Sequence, residues 1–421
     1  MQNNPSKPAS IFNIAVIVAA LGYFVDIYDL LLFTIVRKPS LLDLGVADTI
    51  PAMVQASTKV INWQMVGLLL GGIIWGVMGD KKGRLSVLFG SIVLYSVSNF
   101  LTGFVQNVDQ YAWARFSAGL GLAGELGAGI TLVSELLPKN KRGVGTSLVA
   151  GIGLFGAVAA YFVFHATGKD WRLCYKIGGI LGVLLLLLRV SVAESGMFHS
   201  VKTQKVARGN FFMFFTNAKR FRKYLLAILI GLPTWYVIGI LVNLSDKFAA
   251  QLYGANQIDG GRAIMFAYAA IAVGDILIGL ISQRMQSRKK PLFLFYALCI
   301  IGLLLFYSPL NNSDTRMYFF CALLGFSTGF WAIFVTMGAE QFGTNLRATA
   351  ATTIPNMVRG SLPLINLMFV NWFQKANGWS FLNSAMITGV IVMGITLVAA
   401  WFTEETFHKD LDYLETEEMI P

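Results

Sequence analysis

Continuous apolar runs of about 20 residues recur from one end of this chain to the other, and no other feature limits its fold so tightly. A helix of that length rises about 30 Å, the thickness of a bilayer's hydrocarbon core. The runs fall near 11–36, 60–79, 85–105, 111–134, 144–166, 171–192, 223–245, 263–283, 290–308, 316–338, 349–372 and 379–402. They are unbroken rather than alternating, which excludes a β-barrel and leaves helices, whose backbone groups are satisfied within each segment. With 56% apolar and 13% charged residues, a chain of 421 residues lacks the charge to face water as a soluble domain. The expectation is an all-α membrane protein with twelve transmembrane helices, in contact with lipid.

Charge gives the orientation. With both termini in the cytoplasm, the inner loops hold Lys81, Lys82 and Arg84; Lys139, Lys141 and Arg142; a basic connection over 193–222; and Arg284, Arg288, Lys289 and Lys290. The outer loops are poorer in Lys and Arg, so positive-inside bias favours this arrangement. The net charge of +11 is then a property of loops beside anionic lipid and implies no nucleic-acid partner. Cys174, Cys299 and Cys321 lie within apolar runs and read as small packing residues; His165, His199 and His408 are scattered. No metal site and no cofactor is expected. The polar N-terminus leads straight into a long span, without a cleavage signal.

The chain also repeats itself. Glu135 and Arg142 follow the fourth run, and Glu340 and Arg347 follow the tenth, 205 residues further on. Trp171 opens the sixth run and Trp379 the twelfth, with Glu194 and Glu404-Glu405-Thr406 after them. The expected division is a tail at 1–10, a six-helix bundle at 11–192, a cytoplasmic linker at 193–222, a second bundle at 223–402 and a tail at 403–421. Parallel repeats of this kind build transporters.

Between the second and third runs lies Gly76-Val-Met-Gly-Asp80-Lys-Lys-Gly83-Arg84, and the fourth run contains Arg115-Phe-Ser-Ala-Gly119-Leu-Gly121-Leu-Ala-Gly124-Glu125. These stretches resemble the loop and fourth-helix signatures of the major facilitator superfamily. Glu135, Pro138 and Arg142-Gly143, Trp171-Arg172 with Arg189 and Glu194, and Glu340 to Arg347 are similar to its metabolite:proton symporters and sugar porters. The second-half echo of the first loop has Gln283 where Asp80 stands and lacks the Gly-Arg pair. The resemblance implies a fold of two six-helix bundles and a carrier without enzymatic chemistry. It also implies that Asp26 in the first helix and Arg115 in the fourth form a proton-coupling pair.

The residues support that pairing by depth. Asp26 lies about 22 Å along the first span at 1.5 Å per residue, near the level of Arg115. Buried charges are costly alone, so opposite ones at one depth invite contact. Asp29 shares the face of Asp26, and either caps the outer mouth or joins the pair. Glu125, deeper, is either a structural tie or a second proton site. Arg359, within the eleventh span, is an anion receptor or a partner for an acid such as Asp275. Lys176 and Arg189 read as interfacial anchors.

Asn62, Trp63, Gln64, Trp235, Tyr236, Asn243, Tyr268, Trp331 and Asn356 are the further candidates for a substrate cavity, supplying aromatic faces and amides. Gly76, Asp80, Gly83, Arg84, Glu135, Arg142, Glu340 and Arg347 form an expected cytoplasmic gate that latches the halves. Pro233, Pro355 and Pro363 should loosen their helices. The combined expectation is a monomeric secondary transporter in the plasma membrane, the inner membrane of a bacterium. It moves a small polar metabolite with protons by alternating access, organic acids being favoured by Arg115 and Arg359. A sugar or zwitterion carrier, a proton-driven exporter and a non-transporting receptor are the alternatives. No phosphate-binding loop is present.

Overall fold

The computed structural model describes residues 14–82, 84–125, 139–194, 211–254, 258–409, 413 and 415. Among them every regular element is a helix. Among the described residues nine helices are long and apolar enough to cross a membrane: Val16–Asp43, Ala52–Met78, Leu148–Ala166, Trp171–Arg189, Ala218–Val242, Gly260–Met285, Lys289–Phe306, Asp314–Glu340 and Phe381–Phe402. The other three expected runs also lie on helices. The third is Arg84–Thr102, the fourth includes Val108–Leu122, and the eleventh is Arg347–Gly360 continued by Leu362–Asn366 and 367–376. Spans are numbered below in this chain order, first to twelfth.

The seventh and eleventh spans share a defect with a sequence cause. Each has a proline near its middle, Pro233 and Pro363, and each widens into a π-helical stretch, Val237–Val242 and Leu367–Ala376, four residues later. Proline supplies no backbone N–H and displaces the carbonyl one turn back, so it interrupts the helix on its N-terminal side, at 230–231 and at Ser361. Pro355 lies inside Arg347–Gly360 without interrupting it.

Packing repeats in the two halves. The second and fourth spans meet where Gly119 faces the carbonyl of Gln64, and a Cβ there would stand 2.3 Å from that oxygen. The eighth and tenth meet where Gly325 faces the carbonyl of Ala267, again 2.3 Å from a would-be Cβ. Small residues allow backbones this close when no hydrophobic force separates protein from lipid.

The halves meet along two seams. The second span packs on the eleventh: Asn366 Nδ2 donates to Asn62 Oδ1 at 3.1 Å, Gly72 lies under Asn356, and Gly76 against Thr353. The fifth packs on the eighth through Gly151 and Ile276, with Arg262 Nε donating to the Tyr161 hydroxyl at 3.3 Å. A third contact bridges the first and seventh spans at the expected external end. There Arg37 Nη2 meets Asp246 Oδ1 at 3.0 Å and Arg37 Nη1 donates to the Asn243 carbonyl at 2.9 Å.

The expected cytoplasmic gate is only partly in view. Glu135 and Gly83, and the side chains of Asp80, Arg84 and Arg142, lie outside the described residues. Glu340 does not bridge the halves. It pairs with Arg288 at 3.2 Å and accepts from the Thr406 hydroxyl at 2.7 Å, joining the tenth span to the start of the ninth and to the C-terminal segment. Beside it Glu405 accepts from the backbone N–H groups of Arg288 and Lys289, the first turn of the ninth span.

Candidate functional site

The first span runs through the site, and three of its residues on neighbouring turns face other helices. Asp26 is 4% exposed, and its Oδ1 has no hydrogen-bond partner among the described residues. The charges that bear on it most are Glu125, Arg189, Asp29 and Arg359, from four different helices including its own. Asp29, fully buried, has both carboxylate oxygens without partners among the described residues. Tyr23, one turn below Asp26, lies near Arg359, Asp275, Tyr268 and Asp26.

Asp26 and Arg115 do not pair, contrary to the reading from depth. Arg115 is entirely buried, and its guanidinium donates to Asn99 Oδ1, to the backbone carbonyl of Asp29 at 2.8 Å and to Gln64 Oε1 at 3.4 Å. Its Cζ lies 5.2 Å from the centre of the Tyr175 ring. Rise per residue fixes height but not which way a side chain points. Arg115 stands a turn further out than Asp26 and faces the third and sixth spans.

The ion pair inside the first half is a different one. Arg189 donates both Nη atoms to Glu125, each at 2.7 Å, and the side chains are 6% and 1% exposed. Ser91 Oγ lies 3.4 Å from Glu125 Oε1. Arg189 is therefore no interfacial anchor: its helix extends to Glu194, so the residue sits a full turn inside and faces the bundle. Gly22 makes room for it, since a Cβ there would lie 1.9 Å from Arg189 Nη2.

Arg359 is the cation at the seam between the halves. It is 4% exposed, and no carboxylate lies within 4.0 Å of it among the described residues. Its Nη1 donates to Asn356 Oδ1 at 3.1 Å, its Nε has no partner among the described residues, and its Cζ lies 5.5 Å from the Trp331 ring centre. Tyr268 and Tyr23 are near enough to feel its charge. Asp275, the expected partner, instead accepts from the Ala332 N–H at 2.8 Å, capping the helix Trp331–Glu340. The Trp331 indole N–H likewise has no partner among the described residues. A buried guanidinium with a free donor, an indole N–H beside it and aromatic rings around it can bind a carboxylate.

The remaining cavity candidates separate into two groups. Tyr268, Trp331, Asn356 and Arg359 come together at the seam, and Asn62 meets Asn366 further along it. Trp235 is buried with an unpartnered indole N–H. The others serve packing. Trp63 lies against Trp113, which is 57% exposed, and so faces outward. Gln64 Nε2 donates to the Leu30 carbonyl at 3.0 Å, tying the second span to the first. Tyr236 donates to the Ala385 carbonyl and meets the Tyr307 hydroxyl, inside the second half. Asn243 offers its carbonyl to Arg37. Sequence reasoning missed Tyr23 and Tyr95. Tyr23 could have been found, because it lies three residues before Asp26 on the same helix face.

The sequence model described as Major Facilitator Superfamily matches residues 10–365. Among curated relatives, the chain is 27% identical over 371 residues to the inner membrane metabolite transport protein YhjE of Escherichia coli, covering 81% of this chain and 82% of that one. It is 24% identical over 397 residues to the niacin transporter NiaP of Acinetobacter baylyi, covering 84% and 86%. Among solved structures, the proton:xylose symporter XylE superposes with a TM-score of 0.70 over 95% of this chain and 97% of that one, at 14% identity.

Proposed function

Because the chain belongs to the Major Facilitator Superfamily, and is a membrane carrier rather than an enzyme, we propose that it moves a small organic acid together with a proton. The proposal includes two halves, 11–192 and 223–402, joined by 193–222, rocking as a monomer in a bacterial inner membrane with both termini in the cytoplasm. The observation that carries it is Arg359, a cation buried at the seam with no carboxylate within 4.0 Å among the described residues. A buried unpaired charge is costly, and a substrate carboxylate is the counter-charge that relieves it. A neutral sugar would leave Arg359 uncompensated.

Coupling follows from charge balance. Asp26 is close enough to Arg359 for their charges to interact. An ionised Asp26 would repel an arriving carboxylate, whereas a protonated one leaves Arg359 free to receive it. Binding of anion and binding of proton therefore favour each other, and by reciprocity each raises the affinity for the other. The niacin carried by the Acinetobacter relative is itself a carboxylic acid, which supports this substrate class.

The test is counterflow in liposomes with labelled aromatic and aliphatic monocarboxylates, sugars and betaines. Carboxylates should exchange, and Arg359→Gln should lose at least about tenfold in apparent affinity, the worth of a charge-assisted hydrogen bond. Exchange of sugars in preference to acids, undiminished by Arg359→Gln, would remove the proposal.

A further inference from the structure

We propose that Arg189 is shared between Glu125 and Asp26, and that its movement from one to the other carries the coupling proton from Asp26 to Glu125. This rests on the reading of Asp26 as the proton carrier. Three observations place the parts. Arg189 holds Glu125 through two hydrogen bonds of 2.7 Å. Its Nη2 lies against the first span at Gly22, one helical turn from Asp26 and on the same face. Asp26 is buried with Oδ1 unpartnered, although Arg189 is among the strongest charges acting on it.

The small cluster holds two carboxyl groups and one guanidinium out of water. One carboxylate is neutralised by Arg189; a second would be an uncompensated buried charge. One proton is therefore shared by two acids. In the arrangement described, Glu125 is the ionised partner and Asp26 carries the proton. In the exchanged arrangement the O–H bond of Asp26 breaks, an O–H bond forms at Glu125, and the guanidinium's hydrogen bonds pass from Glu125 to Asp26. The charge of the cluster does not change, so the step avoids the cost of creating charge in a low dielectric.

The groups around the cluster come from every neighbouring helix. Tyr23 and Asp29 lie on the first span, Ser91 and Tyr95 on the third, and Arg359 on the eleventh. Arg115 is occupied elsewhere. The Tyr95 hydroxyl is buried, has no partner among the described residues, and feels Asp26, Glu125 and Arg189 together. A hydroxyl both donates and accepts, so it can relay the proton between the acids. Glu125 lies toward the cytoplasmic end of the fourth span, which gives the transfer a direction.

Infrared spectroscopy of the full chain in lipid at neutral pH tests this without a substrate. The protonated-carboxyl stretch that disappears in Asp26→Asn reports Asp26. Glu125→Gln releases Arg189 to Asp26, so that band should be lost, and Glu125→Gln combined with Arg189→Met should restore it. Arg189→Lys, which keeps the charge, should leave the band in place. A band that persists at full intensity in Glu125→Gln, or stays absent in the double variant, overturns the proposal. If Asp26→Asn removes no band, Asp26 is not the proton carrier, and the reading beneath the proposal fails instead.

Discussion

The contact between Arg37 and Asp246 joins the halves at the expected external end, and it gives a quantitative handle on closure. Their side chains are 8% and 16% exposed, so the pair is largely out of water. A charge-assisted hydrogen bond of this kind contributes about 1.5–3 kcal/mol, roughly twice a neutral one. Asp246→Asn keeps an acceptor and removes the charge, so about 1–1.5 kcal/mol is lost and the ratio of open to closed forms rises about tenfold. Ser57, 3% exposed, lines a recess with Arg37 and Asp246 and can report the opening as a cysteine. The native Cys174, Cys299 and Cys321 are buried. A membrane-impermeant maleimide applied outside should label Ser57→Cys about tenfold faster when Asp246→Asn is present. Arg37→Gln should act alike, and the two together should add little. Burial works against the charge of Asp246, but Arg37 and then Lys247 more than offset it, holding the carboxyl below its ordinary 3.8. Its contribution is present above that value and lost as pH falls through the lowered one, so labelling should stay slow through neutral and mildly acidic pH. Rates within about twofold of the parent in both single variants would refute the latch, since a twofold change is only about 0.4 kcal/mol.

Other consequences follow from the packing and the C-terminal clamp. Burial raises the proton affinity of Glu405, but the Ser287 hydroxyl and the backbone N–H groups of Arg288, Lys289 and Phe407 outweigh it, leaving the carboxyl at about 2. The clamp is therefore complete above the ordinary 4.5 and weakens as pH falls toward about 2, and Glu405→Ala should lower stability by about 1 kcal/mol at neutral pH, read by thermal melting in detergent. At the helix crossings, Gly119→Val and Gly325→Val should each force neighbouring backbones apart and cost about 3 kcal/mol or more. A wild-type melting curve for either would show that the crossings are looser than described.

The elements of the fold were legible because a bilayer asks for a simple pattern. Twelve runs of sufficient length were visible without any knowledge of packing, and among the described residues helices lie along each of them. Arg359 was also visible as a cation in the middle of a span. What could not be read was direction around the helix axis. Counting rise along the chain puts Asp26 and Arg115 near one height, yet Arg115 stands a turn away and its side chain turns to Asn99 and the Asp29 carbonyl. Arg189 looked like an end anchor from its place along the sixth run, but its guanidinium turns inward onto Glu125. Trp63 and Tyr236 are aromatic for packing, and only their neighbours separate them from Trp331 and Tyr268. Gly22 gave no sign, since its role is the space that Arg189 fills.

In the proposed mechanism coupled transport depends on Asp26, and accumulation tests that most directly. Liposomes containing the wild-type protein, a pH dye inside and an inward proton gradient are given the carboxylate that exchanges best in counterflow. Wild type should concentrate it with internal acidification in excess of that from passive entry, whereas Asp26→Asn should exchange it without concentrating it. Concentration by Asp26→Asn to the wild-type level would contradict a carrier whose proton rides on the first span.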